Sequence, residues 1–499
     1  MDPTQDGQMI ETAARDAATD VALLDTIANN LGIVAAIAFL FYLAAAICSV
    51  REIMNSRTAQ GSIAWLLSMF FLPFFTVPLY LVFGWRSFSD YAHVQHTLGR
   101  GARSHRAQTL KLTDEEGTRH WPVLSKVAGI PFLAGNKVDL LIDGEETFAS
   151  ILEGLRTAQH TILIQFFIIR DDEIGKEVAD ALIERAKAGV TIYLLYDEIG
   201  SSSLSNAYLQ RLRDVGINVS GFNENHKYLR LLGPMRLNYR NHRKVVVTDF
   251  EHAWVGGLNV GDEYLGHTRE FGTWRDTHVK VSGPAAVACA LSFSEDWQWA
   301  NNSELPLDKI TSYSKPGDES VLVMPTGPAD ELEECAIAFA EVAARARKRL
   351  WITSPYFVPS IDVATSLYAA SMRGVDVRIL LPEKADHTTV WLASYSHADE
   401  MIARGVKVFR YTEGFLHQKV TLVDDELASV GTVNFDNRSF RINFEITMWF
   451  THARMIEKVA AMLERDFARS TETGADDLDN RSYVFRVLAQ GARLLSPIL

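Results

Sequence analysis

The sequence predicts an α/β fold in which one domain occurs twice in tandem, preceded by a membrane region of two hydrophobic helices. Three observations point that way. Apolar, β-branched runs alternate with stretches of helical period, as in strands joined by crossover helices. A segment of polar landmarks, Asn238 to Asn259, returns near the C-terminus as Leu416 to Asn434. Two uncharged runs, at residues 31–50 and 62–83, precede the first predicted strand.

Residues 1–30 hold six acidic side chains against the single base Arg15 and read as a polar tail. The run 31–50 is 20 uncharged residues, enough to span a bilayer core of about 30 Å as a helix. Ala44-Ala45-Ala46 offers a signal-peptidase reading, but the leading segment is long and acidic rather than short and basic. The run 62–83 holds Pro73 and Pro78, which predicts a kinked span, with a re-entrant or interfacial segment as the alternative. Arg51 and Arg57 fall in the expected loop, and Arg86, Arg100, Arg103 and Arg106 follow the second run. Their balance places both termini and the main body in the cytoplasm. Residues 85–128 form a polar linker.

The body falls into a first domain over 129–310 and a second over 311–480, with Pro306, Pro316 and Gly317 punctuating the joint. Thr161 to Ile169 reads as a buried strand, Ile174, Val178 and Leu182 as one helix face, Gly189 as that helix's stop, and Val190 to Tyr196 as the next strand. The second half repeats the plan: a strand at Leu350 to Pro355, a helix ending at Gly374, and a strand at Val375 to Leu381. In residues 481–499, Tyr483, Val484, Val487, Leu488, Leu494 and Leu495 alternate with Arg481, Arg486 and Arg493. That pattern fits an amphipathic helix, either docked on its own domain or lying on a membrane.

A formal charge of −13 over 499 residues disfavours a general nucleic-acid binder, because no global basic field would attract a polyanion. Cys48, Cys289 and Cys335 are widely spaced, which argues against a disulfide framework or a cysteine zinc site.

The repeat carries the chemistry. At a constant shift of 175 residues, His242 meets His417, Lys244 meets Lys419 and Asp249 meets Asp424. The same shift sets Gly256 on Gly431, Asn259 on Asn434, Glu270 on Glu445 and Trp274 on Trp449. Val245, Val246 and Val247 favour an extended backbone, on which His242 and Lys244 share a face. An ammonium beside an imidazole repels a metal ion but suits a phosphate: the lysine neutralises charge while the imidazole attacks or moves a proton. The asparagines add amide donors. Asp249 and Asp424, seven residues past their histidines, are expected to brace the two strands through backbone hydrogen bonds.

The paired pattern H-x-K-x4-D-x6-G-[GST]-x-N resembles the phospholipase D superfamily. The tail of the second copy, Asn434-Phe-Asp-Asn-Arg-Ser439 with Asn443 and Glu445, is most similar to its bacterial cardiolipin synthase branch, as are Pro78 to Gly84 and the closing Leu-Leu-Ser-Pro-Ile-Leu. Gly257 stands where many members carry serine. The resemblance implies two α/β/α domains about a pseudo-twofold axis sharing one site. His242 would then be the nucleophile and His417 the acid, then base. Lys244, Lys419, Asn259 and Asn434 would hold phosphate, and the family's motif also counts Asp249 and Asp424. Glu270 and Glu445, each 28 residues past its histidine, are expected to orient the imidazoles. Two phosphatidylglycerols would give cardiolipin and glycerol through a phosphohistidine, with no metal or other cofactor, in a bacterial inner membrane. A homo-oligomer stays open. A hydrolytic phospholipase D, a phosphatidylserine synthase, a membrane-bound nuclease and a non-catalytic scaffold are the rival readings. Trp274 and Trp449 are expected in the core, as bland as His252, His267 and His278. Tyr356, Phe357 and Phe415 are candidates for a lipid entrance or the core.

Overall fold

The computed structural model describes residues 30–56, 58–84, 91, 112–223, 239–266, 272–307, 314–330, 332–384 and 386–499. Most of the acidic tail, together with Arg57, Arg86, Arg100, Arg103, Arg106, His267 and Glu270, lies outside the described residues. The chain divides into two compact units, of which the first contains residues 30–84.

In that first unit the helix Asn30–Met54, 25 residues long, is long and apolar enough to cross a membrane. It continues past the apolar run, so Arg51, expected in a loop, is helical. The second expected span is broken. Helix Ala59–Phe71 stops at Leu72, Pro73–Leu79 forms a short helix, and Tyr80–Gly84 opens into a π-turn. Proline supplies no N–H to the ladder, so Pro73 starts a new helix rather than extending the old one. At 13 and 7 residues neither helix alone covers a hydrocarbon core of about 30 Å. The Glu52 carboxylate ties the pieces, accepting from the hydroxyls of Ser62 at 2.7 Å and Tyr80 at 3.0 Å.

The strands of the second unit are β1 (Leu133–Ile142), β2 (Thr161–Phe166), β3 (Thr191–Tyr196), β4 (Asn218–Gly221), β5 (Val245–Thr248), β6 (His252–Gly256), β7 (Trp274–Arg275) and β8 (Thr277–Ser282) from the first half. From the second half come β9 (Glu319–Thr326), β10 (Arg349–Thr353), β11 (Phe357–Val358), β12 (Asp376–Pro382), β13 (Lys407–Tyr411), β14 (Phe415–Leu416), β15 (Val420–Val423), β16 (Leu427–Gly431), β17 (Phe435–Asp436), β18 (Glu445–Phe450) and β19 (Ser470–Glu472). Among the described residues, fifteen of these form one sheet in the order β19-β13-β12-β10-β15-β16-β18-β9-β1-β8-β6-β5-β2-β3-β4. Read outward from the β9/β1 seam, the two sides repeat one plan. The seam is antiparallel, with Asn136 opposite Glu319, so a twofold relates the halves.

Local chemistry sets the elements. Ile162, Leu163 and Ile164 are buried on both faces of β2, as an unbroken apolar run requires. Helix Glu173–Lys187 opens on the Asp172 carboxylate, which accepts from Gly175 N at 3.0 Å, and ends before Gly189 at φ +92°. Its counterpart, Ile361–Met372, ends before Gly374 at φ +87°. Strands β8 and β18 each lead into a helix packed behind the seam, Pro284–Asn301, which is almost wholly buried, and Ala453–Ala468, which buries one face.

Candidate active site

His242 sits just ahead of β5 rather than within it, its backbone N–H donating to Phe444 O of the other half at 2.9 Å. Its Nδ1 lies 2.9 Å from Glu445 Oε2 and 3.0 Å from Oε1. Glu445 opens β18, is fully buried, and takes hydrogen bonds from the Thr432 hydroxyl and, at 3.2 Å, from Asn443 Nδ2. The edge of the Phe167 ring closes the other side, 5.1 Å between centroids. Burial pulls His242 down to about 4, against the pull of Glu445. At neutral pH the ring is therefore neutral, donates from Nδ1 and keeps the Nε2 lone pair for chemistry.

His417 mirrors this arrangement. Its N–H donates to Arg275 O at 2.8 Å and its Nδ1 stands 2.7 Å from Asp276 Oδ2. Lys419 Nζ is 3.0 Å from the same nitrogen and donates to the His417 carbonyl. A ring nitrogen that donates cannot also accept, so the shorter carboxylate contact takes the proton. Burial, then Lys419, holds His417 well below the usual histidine range. The two imidazoles are close enough to interact: a proton on His242 disfavours one on His417.

The orienting carboxylates correct the sequence reading twice. Each serves the histidine of the opposite half: Glu445 holds His242, and a first-half carboxylate holds His417. That second carboxylate is Asp276, a residue the motif reading passed over. Sheet register explains why. Gly256 pairs with His278 and Gly431 with Thr447, so past the turn the halves correspond at a shift of 169, not 175. Asp276 is thus the counterpart of Glu445, and the apparent matches of Glu270 and Trp274 slip by six residues. Trp274 packs 5.2 Å from the His417 ring, while Trp449 lies in the core against Phe339.

Lys244 and Lys419 are buried, each donating to the carbonyl of its own motif's histidine. Burial holds Lys244 well below the usual lysine range and brings Lys419 to about 8. Each ammonium also opposes the other, a repulsion that a bound phosphate would relieve. No trio of His, Cys, Asp or Glu among the described residues is arranged to hold a metal.

Asn434 keeps a buried Oδ1 without a partner, whereas Asn259 is engaged by Ile168 N–H and the Tyr264 hydroxyl. Asp249 and Asp424 do not reach the site. They follow the far ends of β5 and β15, about 20 Å along extended chain from the histidines. Asp249 accepts from the backbone N–H groups of Gln159, His160 and Thr161, and Asp424 from those of Arg347, Lys348 and Arg349. Both therefore anchor the start of a neighbouring strand, and their place in the catalytic set is corrected accordingly. Gly257 is explained by a close approach: a Cβ there would meet Asp276 Oδ1 at 2.1 Å. Phe415 and Phe357 are core, and Tyr356 is half-buried on Asp386.

Comparison with known proteins gives the family. A family model described as "Cardiolipin synthase, PLD-like domain" matches residues 151–297 and 340–469, and a "Phospholipase_D-nuclease N-terminal" model matches 36–85. Cardiolipin synthase A of Pseudomonas entomophila is 41% identical over 92% of this chain and 97% of its own length. That of Pseudomonas aeruginosa is 42% identical over 91% and 94%. The chain belongs to the cardiolipin synthase family. A phosphatidylserine synthase from Haemophilus influenzae shares the fold, with TM-score 0.61 at 16% identity, over 76% of this chain and 99% of that one.

Behind each orienting carboxylate of this family member stands a buried arginine–aspartate pair that the motif did not announce. Arg243 donates from Nη1 to Asp296 Oδ1 at 2.7 Å and from Nε to the Glu445 carbonyl at 2.9 Å. Arg275 donates to both Asp466 oxygens, at 2.8 and 2.7 Å, and to the Asp276 carbonyl at 2.6 Å. Asp296 lies toward the end of the helix Pro284–Asn301 and Asp466 toward the end of Ala453–Ala468. Tyr91 joins only the first pair, its hydroxyl 2.6 Å from Asp296 Oδ1. For the first pair the available signal was an acidic stretch, Ser-Glu-Asp296-Trp, inside a largely apolar helix, whereas the helix of Asp466 is charged along its length and offers none.

Proposed function

We propose that the enzyme transfers a phosphatidyl group from one phosphatidylglycerol to a second, giving cardiolipin and glycerol with no nucleotide or metal. One observation carries this reading: each half's histidine is held by the other half's carboxylate, so two imidazoles and two ammonium groups converge on one site. Both lysines stabilise charge on the phosphoryl oxygens. His242 Nε2 attacks phosphorus, the bond to the donor's glycerol oxygen breaks, and His417 gives that oxygen its proton. The negative phosphodiester favours protonated His417 once bound. Neutral again, His417 takes the proton from the hydroxyl of the second lipid, whose oxygen displaces His242 from phosphorus. Asn434, whose buried amide oxygen has no partner, can accept from a hydroxyl of the glycerol headgroup, and Glu445 and Asp276 fix the ring tautomers.

The same reading makes the protein a two-span protein of the bacterial inner membrane, the broken 59–84 segment returning across the bilayer and the catalytic body lying in the cytoplasm. Nucleic acid is disfavoured as a substrate by the charge of −13. A hydrolase reading shares every residue named and differs only in water taking the acceptor's place. Purified protein supplied with phosphatidylglycerol alone is expected to yield cardiolipin and glycerol in equal amounts. Phosphatidic acid as the main product would install the hydrolase instead.

A further inference from the structure

The helix Tyr483–Arg493 presents apolar residues on two sides. One side is docked: Phe485 meets Trp391 and Tyr395 on the helix Thr388–Ile402, and Ala489 and Ala492 are buried against the same helix. Between the two sides runs a polar edge, Arg486 paired with Asp479, Gln490 with Ser396 and Arg493 with Glu400. The other side is open, an arc of Tyr483, Val484, Val487 and Leu488 that Leu494 and Leu495 continue, all exposed. Docking on the neighbouring helix accounts for the first side and leaves this arc unexplained. A contiguous apolar surface of this kind on a folded domain marks an interaction site.

Its position says what covers it. The chain folds back after the helix so that Leu499 O accepts from Arg438 N at 2.8 Å, in the segment that leads to Asn443 and Glu445. Of the other exposed large apolar side chains of this unit, Ile199 and Leu332 lie in loops after β3 and β9 and Ile361 opens the helix after β11, at the strand ends that border the histidines, while Met372 lies at the far end of that helix. The chain also carries a helix able to cross a membrane. We propose that the exposed arc of the terminal helix, with the apolar loop tips beside the site, seats the catalytic body on the bilayer surface, the helix lying in the interfacial plane. This rests on the lipid-transfer reading above and adds to it the surface through which lipid reaches the site.

The three native cysteines are buried, so Val487→Cys gives the full-length protein one accessible thiol for an environment-sensitive fluorophore. In nanodiscs of equal parts phosphatidylglycerol and phosphatidylcholine, the label is expected to shift to the blue and be quenched by acyl-chain nitroxides. Quenching by aqueous iodide instead, or shielding that persists in detergent and grows with protein concentration, as a second copy would produce, overturns the proposal. Val484→Asp with Leu488→Asp is expected to lower turnover of bilayer phosphatidylglycerol by roughly tenfold, with little change on monomeric short-chain lipid. Equal loss on both substrates, or loss on neither, overturns it as well. Nitroxide quenching without cardiolipin from the parent protein would sink the activity while leaving the docking surface in place.

Discussion

A neutral imidazole takes up a proton only through the nitrogen that keeps its lone pair, and at His417 the carboxylate of Asp276 decides which nitrogen that is. With Asp276 Oδ2 2.7 Å from Nδ1, the proton stays there and Nε2 is free. Asp276→Asn is expected to lower kcat by about 10²–10⁴-fold with the fold intact, the scale of losing the tautomer-fixing acid in a serine-protease triad. Glu270→Gln is expected to leave kcat within a few-fold, because the His417 Nδ1 contact belongs to Asp276. Initial rates of the two purified variants decide between them. The histidines, lysines and asparagines were legible because the motif repeats them without gaps. Asp276 was not, because the two halves differ by six residues between turn and strand, and a fixed offset carries that error forward silently.

At the level of elements, the third motif position belongs to the sheet. Asp424 is buried, sits at φ +50°, and caps three successive N–H groups where β10 begins. Asp424→Ala would leave those donors without their charged acceptor, at a cost of about 2–4 kcal/mol. The expected outcome is a lower unfolding midpoint, with near-normal turnover per folded molecule at low temperature. A collapse of kcat without loss of stability would return the residue to the catalytic set. The strands and crossover helices were largely readable from β-branched runs and from Gly189 and Gly374 as helix stops. The broken second hydrophobic segment was legible only as a kink, since Pro73 and Pro78 mark where a ladder is interrupted but not how the chain resumes.

For the whole molecule, the buried histidines set the response to acid. Burial lowers His242 to about 4, His278 to about 3 and His397 to about 4, and holds His417 well below its usual range. The unfolded chain, with histidines near 6.5, binds protons that the folded chain refuses, so stability rises with pH across this window and is lost as pH falls below about 6.5. Asp436, pushed up to about 6 by burial, acts in the opposite sense below that pH and offsets part of the loss, one carboxyl against four histidines. Unfolding midpoints of the full chain at pH 7 and pH 5.5 are expected to show the drop. His278→Gln should lessen it.

The order of residues alone determined the chemical inventory: a duplicated imidazole, ammonium and amide, an α/β plan, and an apolar start. Those signals are local, carried by spacing along a strand or a helix. Only the folded chain decided which carboxylate serves which histidine, that Asp249 and Asp424 belong to strand ends, and that Arg243 and Arg275 stand behind the site. Pairing across the β1/β9 seam joins residues some 140 to 200 positions apart, and no local pattern records such partners.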